Sequence, residues 1–207
     1  MASFQRRTTC PARTPETAAW HFGHVIAVDV SQAMLTAMRE KATAAISAPL
    51  PEMEYVRAGF LSFDPARLVD GVYTRHALHQ IPDFWKAVAL TRIAAMLKPG
   101  GVLRLRDLVY DFQPQEATEV FTHWLESAAT DPSQGYTAAD YAEHIRMEHS
   151  TFRWLLEPML VAAGFEITDV AFERRLYAAY TCVKVGLADD SQAMPSRSQV
   201  QCRNITV

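Results

Sequence analysis

The first 22 residues of this chain contain no glycine, and the first of its eight glycines is Gly23. Cysteine is scarce too: Cys10, Cys182 and Cys202 are scattered and form no Cys-x-x-Cys pair, which excludes a disulfide framework and a zinc-finger pattern. No run approaches the roughly 18 apolar residues that a membrane span needs, so no membrane partner is expected. Arg6 and Arg7 are followed by no apolar stretch, so no secretory signal is read and the cytoplasm is the expected location. A net charge of -3 gives no electrostatic reason to expect nucleic acid.

What is present is an alternation of strands and helices in a chain of 207 residues, a length that one domain with a full core can use. The apolar run Val25 to Val30 reads as a buried strand, and Ser31 can cap a helix carrying Met34, Leu35, Met38 and Ile46. Met53 to Ala58 is a short strand that ends in the turn Gly59-Phe60-Leu61. Gly71 to Arg75 is another. Pro82-Asp83 opens a helix with Trp85, Val88, Ile93, Met96 and Leu97, which Pro99-Gly100-Gly101 stops. Val102 to Leu108 reads as a parallel, buried strand.

The pattern then becomes helical, over Gln115 to Ala128, from Thr137 to about Glu148, and from about Thr151 to Ala163. Thr137-x-x-Asp140 resembles a capping box, and Pro158 either kinks the third helix or marks a late start. Phe165 to Phe172 and Tyr177 to Val185 read as a closing antiparallel hairpin. The expected organisation is an irregular segment over 1–22, a domain over 23–186 with cap helices at about 113–150, and a disordered tail over 187–207.

An acid at the tip of a strand, as Asp29 is, takes a ribose hydroxyl in doubly wound nucleotide-binding folds. A glycine-rich loop normally precedes such an acid by roughly 20 residues. Counting back from Asp29 reaches Thr9 to Pro15, which reads Thr-Cys-Pro-Ala-Arg-Thr-Pro. Half of a nucleotide site is legible and the other half is absent.

Four segments in order carry a family resemblance: Val25-Ile-Ala-Val-Asp-Val-Ser-x-x-Met34, Ala58-Gly-Phe-Leu-Ser-Phe63, Ala77-Leu-His-Gln-Ile-Pro-Asp83 and Leu97-Lys-Pro-Gly-Gly-Val-Leu103. Together they resemble the class I S-adenosylmethionine-dependent methyltransferases, and within them the small-molecule branch of the ubiquinone and menaquinone methyltransferases. The resemblance covers about Phe22 to Val185. It implies a Rossmann-like α/β fold, a doubly wound sheet with a closing antiparallel strand and a helical cap, the first strand and its glycine loop being missing here. It implies S-adenosylmethionine as cofactor and a small molecule as acceptor, methylated at O, N or C.

Residue by residue, the resemblance makes Asp29 the acceptor of both ribose hydroxyls, the alternative being an acid that only starts a helix. Val30 follows it into the cofactor site. Met34 would lie against adenine or else pack in the core. Gly59, Phe60 and Leu61 match the adenine-edge turn, where many relatives carry an Asp, so here a backbone contact and an apolar wall remain. Arg75 and His76 match the segment facing the methyl group. His79 is the candidate for the acceptor side, to orient or deprotonate a hydroxyl or carbon acid, against a role in loop packing. Arg106 and Asp107 sit at the next strand tip, where they touch substrate or pair with each other, and Asp107 joins His79 as a candidate catalytic residue. Tyr110, His149 and Arg153 are cap residues that could meet the acceptor. His76 and His79 with no third ligand in view make no metal site, so no metal is expected.

Two rival readings remain. A dinucleotide-dependent oxidoreductase shares the strand-end acid but needs the same glycine loop, and the closing hairpin suits it less. The other is a methyltransferase-like chain of impaired activity, an inactive remnant or partner-binding module. In that reading family sequence joins foreign sequence near Trp20, and the strands of Val25 and Gly71 are left with unpaired edges where the central strand belongs.

Overall fold

The computed structural model describes residues 2–6, 22–44 and 52–185. Strand β1 is Ala2–Arg6, β2 is Phe22–Asp29, and helix α1 is Gln32–Ala44. Strands β3 (Glu52–Arg57) and β4 (Val69–Arg75) follow, then a 3-10 turn at Leu78–Gln80, helix α2 (Asp83–Met96) and strand β5 (Leu97–Tyr110). The cap consists of α3 (Ala117–Glu126) and α4 (Ala138–Met147). Strand β6 (Thr151–Phe152), helix α5 (Arg153–Ala162) and strands β7 (Phe165–Glu173) and β8 (Tyr177–Lys184) close the chain's described part. Ile46 and the expected tail 187–207 lie outside the described residues.

The main sheet runs in the order β3-β2-β1-β4-β5-β8-β7, with β6 beside β5. β2 pairs parallel with β3, and β4 parallel with β5. β8 is antiparallel to both β5 and β7, which is the closing hairpin expected from the sequence. The chain therefore has the Rossmann-like mixed sheet read from its motifs.

The slot between β2 and β4 is filled from an unexpected source. Residues 2–6, read from sequence as irregular, run antiparallel to both neighbours: Ser3 faces Ile26 on one side and Val72 on the other. The parallel first strand of the resemblance is not among the described strands, yet the two edges expected to be bare are paired. The reason is that a gap between two strands offers donors and acceptors on both sides, and any extended segment satisfies them whatever its side chains. Sequence reading looked for an apolar run and so passed over Ala-Ser-Phe-Gln-Arg.

Val25, Ile26, Ala27 and Val28 are all buried, as a strand covered on both faces requires. In α2 the residues Ala89, Leu90, Ile93 and Met96 are buried at helical spacing; the first three pack with Leu103 and Leu105 of β5 and Leu156 and Leu160 of α5, and Met96 packs with Ile26, Val28 and Phe63. Pro158 sits inside α5 rather than at its start, and Thr151–Phe152 form a short strand instead of the helix's first turn. Gly100 has a φ of 72°, and a Cβ at Gly101 would lie 2.8 Å from the Lys98 carbonyl, so the irregular start of β5, where its register against β4 shifts, requires that pair. A second cluster, with Leu108, Tyr110, Phe112, Trp124 and Leu176 at its centre, joins the cap to the sheet.

The central position of β1 is testable. Phe4→Pro removes a backbone donor from a strand paired on both sides, at a cost on the order of 2–3 kcal/mol. Urea unfolding should show that loss, while Glu119→Ala on the exposed side of α3 should not. A Phe4→Pro protein as stable as the parent would remove residues 2–6 from the sheet centre.

Candidate functional site

Two cavities open at the carboxyl ends of the parallel strands and meet at one turn. The first, about 480 Å³, is walled by Val28, Asp29, Val30, Ala58, Gly59, Phe60, Leu61 and Ser62, and by His76, Ala77, Gln80 and Ile81. The second, about 550 Å³, has the aromatic walls Trp124, Tyr136, Tyr141 and Tyr177 and a polar side of His76, His79, Gln80, His144 and Glu148. His76 and Gln80 line both.

Asp29 ends β2 with its carboxylate at the mouth of the first cavity. Oδ1 accepts the Ser31 N–H at 2.7 Å, so the acid starts the helix as well as lining the cavity. The Ser31 hydroxyl in turn accepts the Met34 N–H at 3.4 Å. The turn beyond β3 is tightly made: Ser62 and Phe63 both donate to the Gly59 carbonyl, at 3.1 and 3.0 Å. A Cβ on Gly59 would lie 2.9 Å from Val30 Cγ1, so the family's usual Asp could not stand here without moving Val30. Arg92 of α2 clamps the turn from behind, donating to the Phe60 and Phe63 carbonyls at 3.3 and 2.9 Å.

Two residues expected in this site stand elsewhere. Met34 is 53% exposed and absent from the cavity wall, because Leu35 takes the buried position of α1. Arg75 is the exposed last residue of β4 and lines neither cavity, its strand turning Val72 and Thr74 inward instead. His76, next in line, has a φ of 48°, a left-handed conformation that ends the strand and turns the chain into the 78–80 turn. Burial lowers its pKa below the usual value.

Asp107 and His79 form the core of the second site. Asp107 is 2% exposed and accepts four bonds: from Ala77 N at 3.2 Å, Leu78 N at 2.8 Å, Leu108 N at 2.8 Å, and from the ring Nδ1 of His79. Asp107 is thus bonded to protein groups, while Arg106, on the opposite face of β5, reaches Glu173 at 3.4 Å. The two do not pair with each other. His79 is buried, with its Nε2 turned towards Gln80 Nε2 at 2.8 Å and Glu148 Oε2 at 3.0 Å. Its ring is 5.3 Å, centroid to centroid, from that of His144, which contacts the same Glu148 carboxylate through Nδ1. Burial is the largest influence on His144 and lowers its pKa, against the opposing pull of Glu148.

The loop carrying Glu148 is pinned from below. His149 N donates to the His79 carbonyl at 2.8 Å, and the buried Lys86 ammonium donates to the His149 carbonyl and to Asp83 Oδ1 at 2.7 Å. Thr151 Oγ1 donates to Asp83 Oδ2 at 3.2 Å. Of the guessed cap residues, Tyr110 stacks on Phe112 in the aromatic core and Arg153 pairs with Glu157 at 2.8 Å; neither they nor His149 line the cavity. Sequence reading missed Glu148, His144 and Lys86. His144 and Glu148 stand four apart on a helix end, and Asp83 and Lys86 three apart, which is the signal that was available.

The wall above is aromatic. Trp124 lies 4.5 Å from Tyr141 and 6.0 Å from Tyr177, ring centre to ring centre. The Tyr177 hydroxyl is pushed up to about 12, by burial first and then by Tyr141, so it stays protonated. A flat apolar or aromatic molecule with one polar group matches this combination of walls and floor.

A methyltransferase-domain family model matches residues 11–101, the stretch holding β2 to the start of β5. No curated sequence matches the chain. Among solved structures, a protein of Bacillus halodurans C-125 assigned as a methyltransferase superposes with a TM-score of 0.60 at 16% identity, covering 83% of this chain and 87% of its own. The N-methyltransferase NodS from Bradyrhizobium japonicum WM9, crystallised with S-adenosyl-L-homocysteine, gives 0.55 at 13% identity, over 82% and 70%. The magnesium protoporphyrin IX methyltransferase from Synechocystis PCC 6803, also with that ligand, gives 0.53 at 12% identity, over 77% and 63%. At these identities the superpositions establish the fold.

The Lys86 anchor predicts a stability effect. Lys86→Met keeps the stem and removes the donor to Asp83 and to the His149 carbonyl, which should cost about 2–4 kcal/mol in denaturant unfolding. An unchanged midpoint would mean that the 148–151 loop is held by other contacts.

Proposed function

We propose that this chain is a class I S-adenosylmethionine-dependent methyltransferase and transfers the methyl group of that cofactor to a small, flat acceptor held against Trp124, Tyr141 and Tyr177. The observation that carries the reading is the junction of the two cavities at His76 and Gln80. Methyl transfer from a sulfonium is an in-line displacement: the acceptor atom forms a bond to the methyl carbon as the carbon–sulfur bond breaks, and the pair returns to sulfur. Alignment and closeness supply most of the acceleration, so adjoining sites for donor and acceptor are the essential requirement.

In the nucleoside cavity the residues fit the cofactor. Asp29 offers a carboxylate to the ribose hydroxyls, and a carboxylate suits two neighbouring donors. Phe60 and Leu61 form an apolar wall for adenine, with Gly59 allowing close approach to Val30. On the acceptor side His79 lines the cavity with Nε2 between Gln80 and Glu148, while Asp107 holds its other nitrogen and so fixes the orientation of the ring. The role of His79 is to orient the acceptor's polar group, and Asp107 positions His79.

Impaired cofactor binding is the second reading, and a specific feature favours it. Family members cradle the cofactor with glycine-loop backbone donors, and residues 1–22 contain no glycine and two prolines, Pro11 and Pro15. Replacing residues 1–20 with a strand, glycine loop and helix of the family type should then raise cofactor affinity. Equal affinity in both proteins would reject impairment.

The reading itself is tested by titration with S-adenosyl-L-homocysteine. Asp29→Ala should weaken binding by about 1.5–3 kcal/mol, the range for a lost charge-assisted bond, whereas Glu119→Ala should leave it unchanged. Equal affinities would take Asp29 out of the site. His79→Ala should retain cofactor affinity and lose turnover against a panel of small phenols, quinones and carboxylic acids. Lost cofactor binding with normal turnover per complex would reverse that placement.

A further inference from the structure

The acceptor cavity holds an arrangement that orientation of a substrate alone does not explain. His79, His144 and Glu148 each offer one ligand-type atom, and the three atoms lie within 4.8 Å of one another. The set comes from two distant parts of the chain, the turn after β4 and the end of α4, brought together by the His149 to His79 backbone bond and by Lys86.

The outer partners of the two rings matter. His79 Nδ1 faces Asp107, a carboxylate that already accepts three backbone N–H groups, so this nitrogen carries a proton, and the lone pair of Nε2 faces Glu148 and the Gln80 amide, 2.8 Å away. His144 Nε2 lies 3.1 Å from Ser150 Oγ, which leaves Nδ1 as the nitrogen facing inwards. Both inward nitrogens thus point at the Glu148 carboxylate, itself an acceptor. Its Oε2 is approached by both rings, by His79 Nε2 at 3.0 Å and by His144 Nδ1. Two imidazoles and a carboxylate this close need a hydrogen or a cation between them: a proton on one imidazole links a pair, whereas a cation would join all three.

We propose that His79, His144 and Glu148 form the binding site of one divalent first-row transition cation, such as Zn²⁺, Co²⁺ or Mn²⁺. Two imidazoles and one carboxylate are the donor set that such ions take, in preference to Mg²⁺ or Ca²⁺, and it leaves coordination positions open. A carboxylate behind the ligating imidazole, as Asp107 stands behind His79, is the usual outer support of a metal histidine. The open positions face the aromatic cavity, where they would take an oxygen of the acceptor. The inference deepens the acceptor-site reading above and rests on it: the cation, rather than the bare His79 nitrogen, would orient the acceptor.

The test uses the full chain, stripped with a chelator and titrated with Co²⁺ by visible absorption and with Zn²⁺ by calorimetry. One equivalent should bind. His144→Ala and Glu148→Gln, the second retaining the shape of the side chain, should each weaken binding about 100-fold or more, and Asp107→Asn about 10- to 100-fold. His123→Ala, on α3 and outside the cluster, should bind as the parent does. Melting curves identify any variant that fails to fold, and Glu148→Gln carries the decision if another does. A parent that binds neither ion, or variants that bind equally well, would overturn the site and leave a proton as the link between these groups. S-adenosyl-L-homocysteine titrated into the same samples separates the two readings: its failure to bind counts against the methyltransferase assignment, and unchanged metal affinity in the variants counts against the cation site alone.

Discussion

The buried carboxylate of Asp107 is the contact on which the site depends. A charge at 2% exposure is expensive unless it is fully bonded, and this one is: three backbone N–H groups and one imidazole converge on it. Two of those N–H groups belong to the 77–78 turn and one to β5 itself. The carboxylate therefore ties the end of β4 to the end of β5 and dictates where His79 points. Removing the charge would release the turn, the ring and the wall shared by the two cavities together.

A similar economy holds the other side of the second cavity. Lys86 is fully buried on α2, and it spends its charge on Asp83 and the His149 carbonyl rather than on a ligand. Asp83 also accepts from Thr151, so one ion pair anchors the helix start, the loop after α4 and the short strand β6. These polar contacts bring Glu148 and His144 up to His79 across some 65 to 70 residues of sequence. Hydrophobic packing of Trp124, Tyr141 and Tyr177 supplies the opposite wall.

The parallel strands and their helices were legible because burial on both faces writes a continuous apolar run, as in Val25 to Val28, and because Ser31, Pro82 and Gly100-Gly101 punctuate it. Asp29, Gly59, Phe60, Leu61, His76 and His79 were legible because strand tips gather ligands in open sheets, and all six line a cavity. Met34 and Arg75 were misplaced by one step, since a helix face and a strand alternation each decide exposure by register, and neighbouring residues captured the inward positions. The strand at Ala2–Arg6 was illegible for a different reason. Its place is set by the hydrogen-bonding need of two neighbours, which is a property of the rest of the sheet and leaves no apolar signature in the segment itself. Lys86 and Glu148 were illegible because single-sequence reasoning treats a charged residue on a helix as solvated until a distant partner is known.

The position of His76 joins these elements into a mechanism. Its φ of 48° turns the chain sharply at the end of β4, a conformation uncommon for a residue with a side chain, and its N–H is held by the Arg106 carbonyl at 2.9 Å. The turn stands where the two cavities adjoin, since His76 and Gln80 line both. In the proposed transfer a donor methyl and an acceptor atom must approach to about 3–3.5 Å on one line with nothing between them, so the two cavities must open to one another beside this turn. Straightening the turn would carry the 77–80 segment away from Asp107 and lengthen that path. The strained residue, the buried carboxylate and the shared wall are thus one device, in which the carboxylate's bonds to Ala77 and Leu78 offset the cost of the left-handed residue beside them.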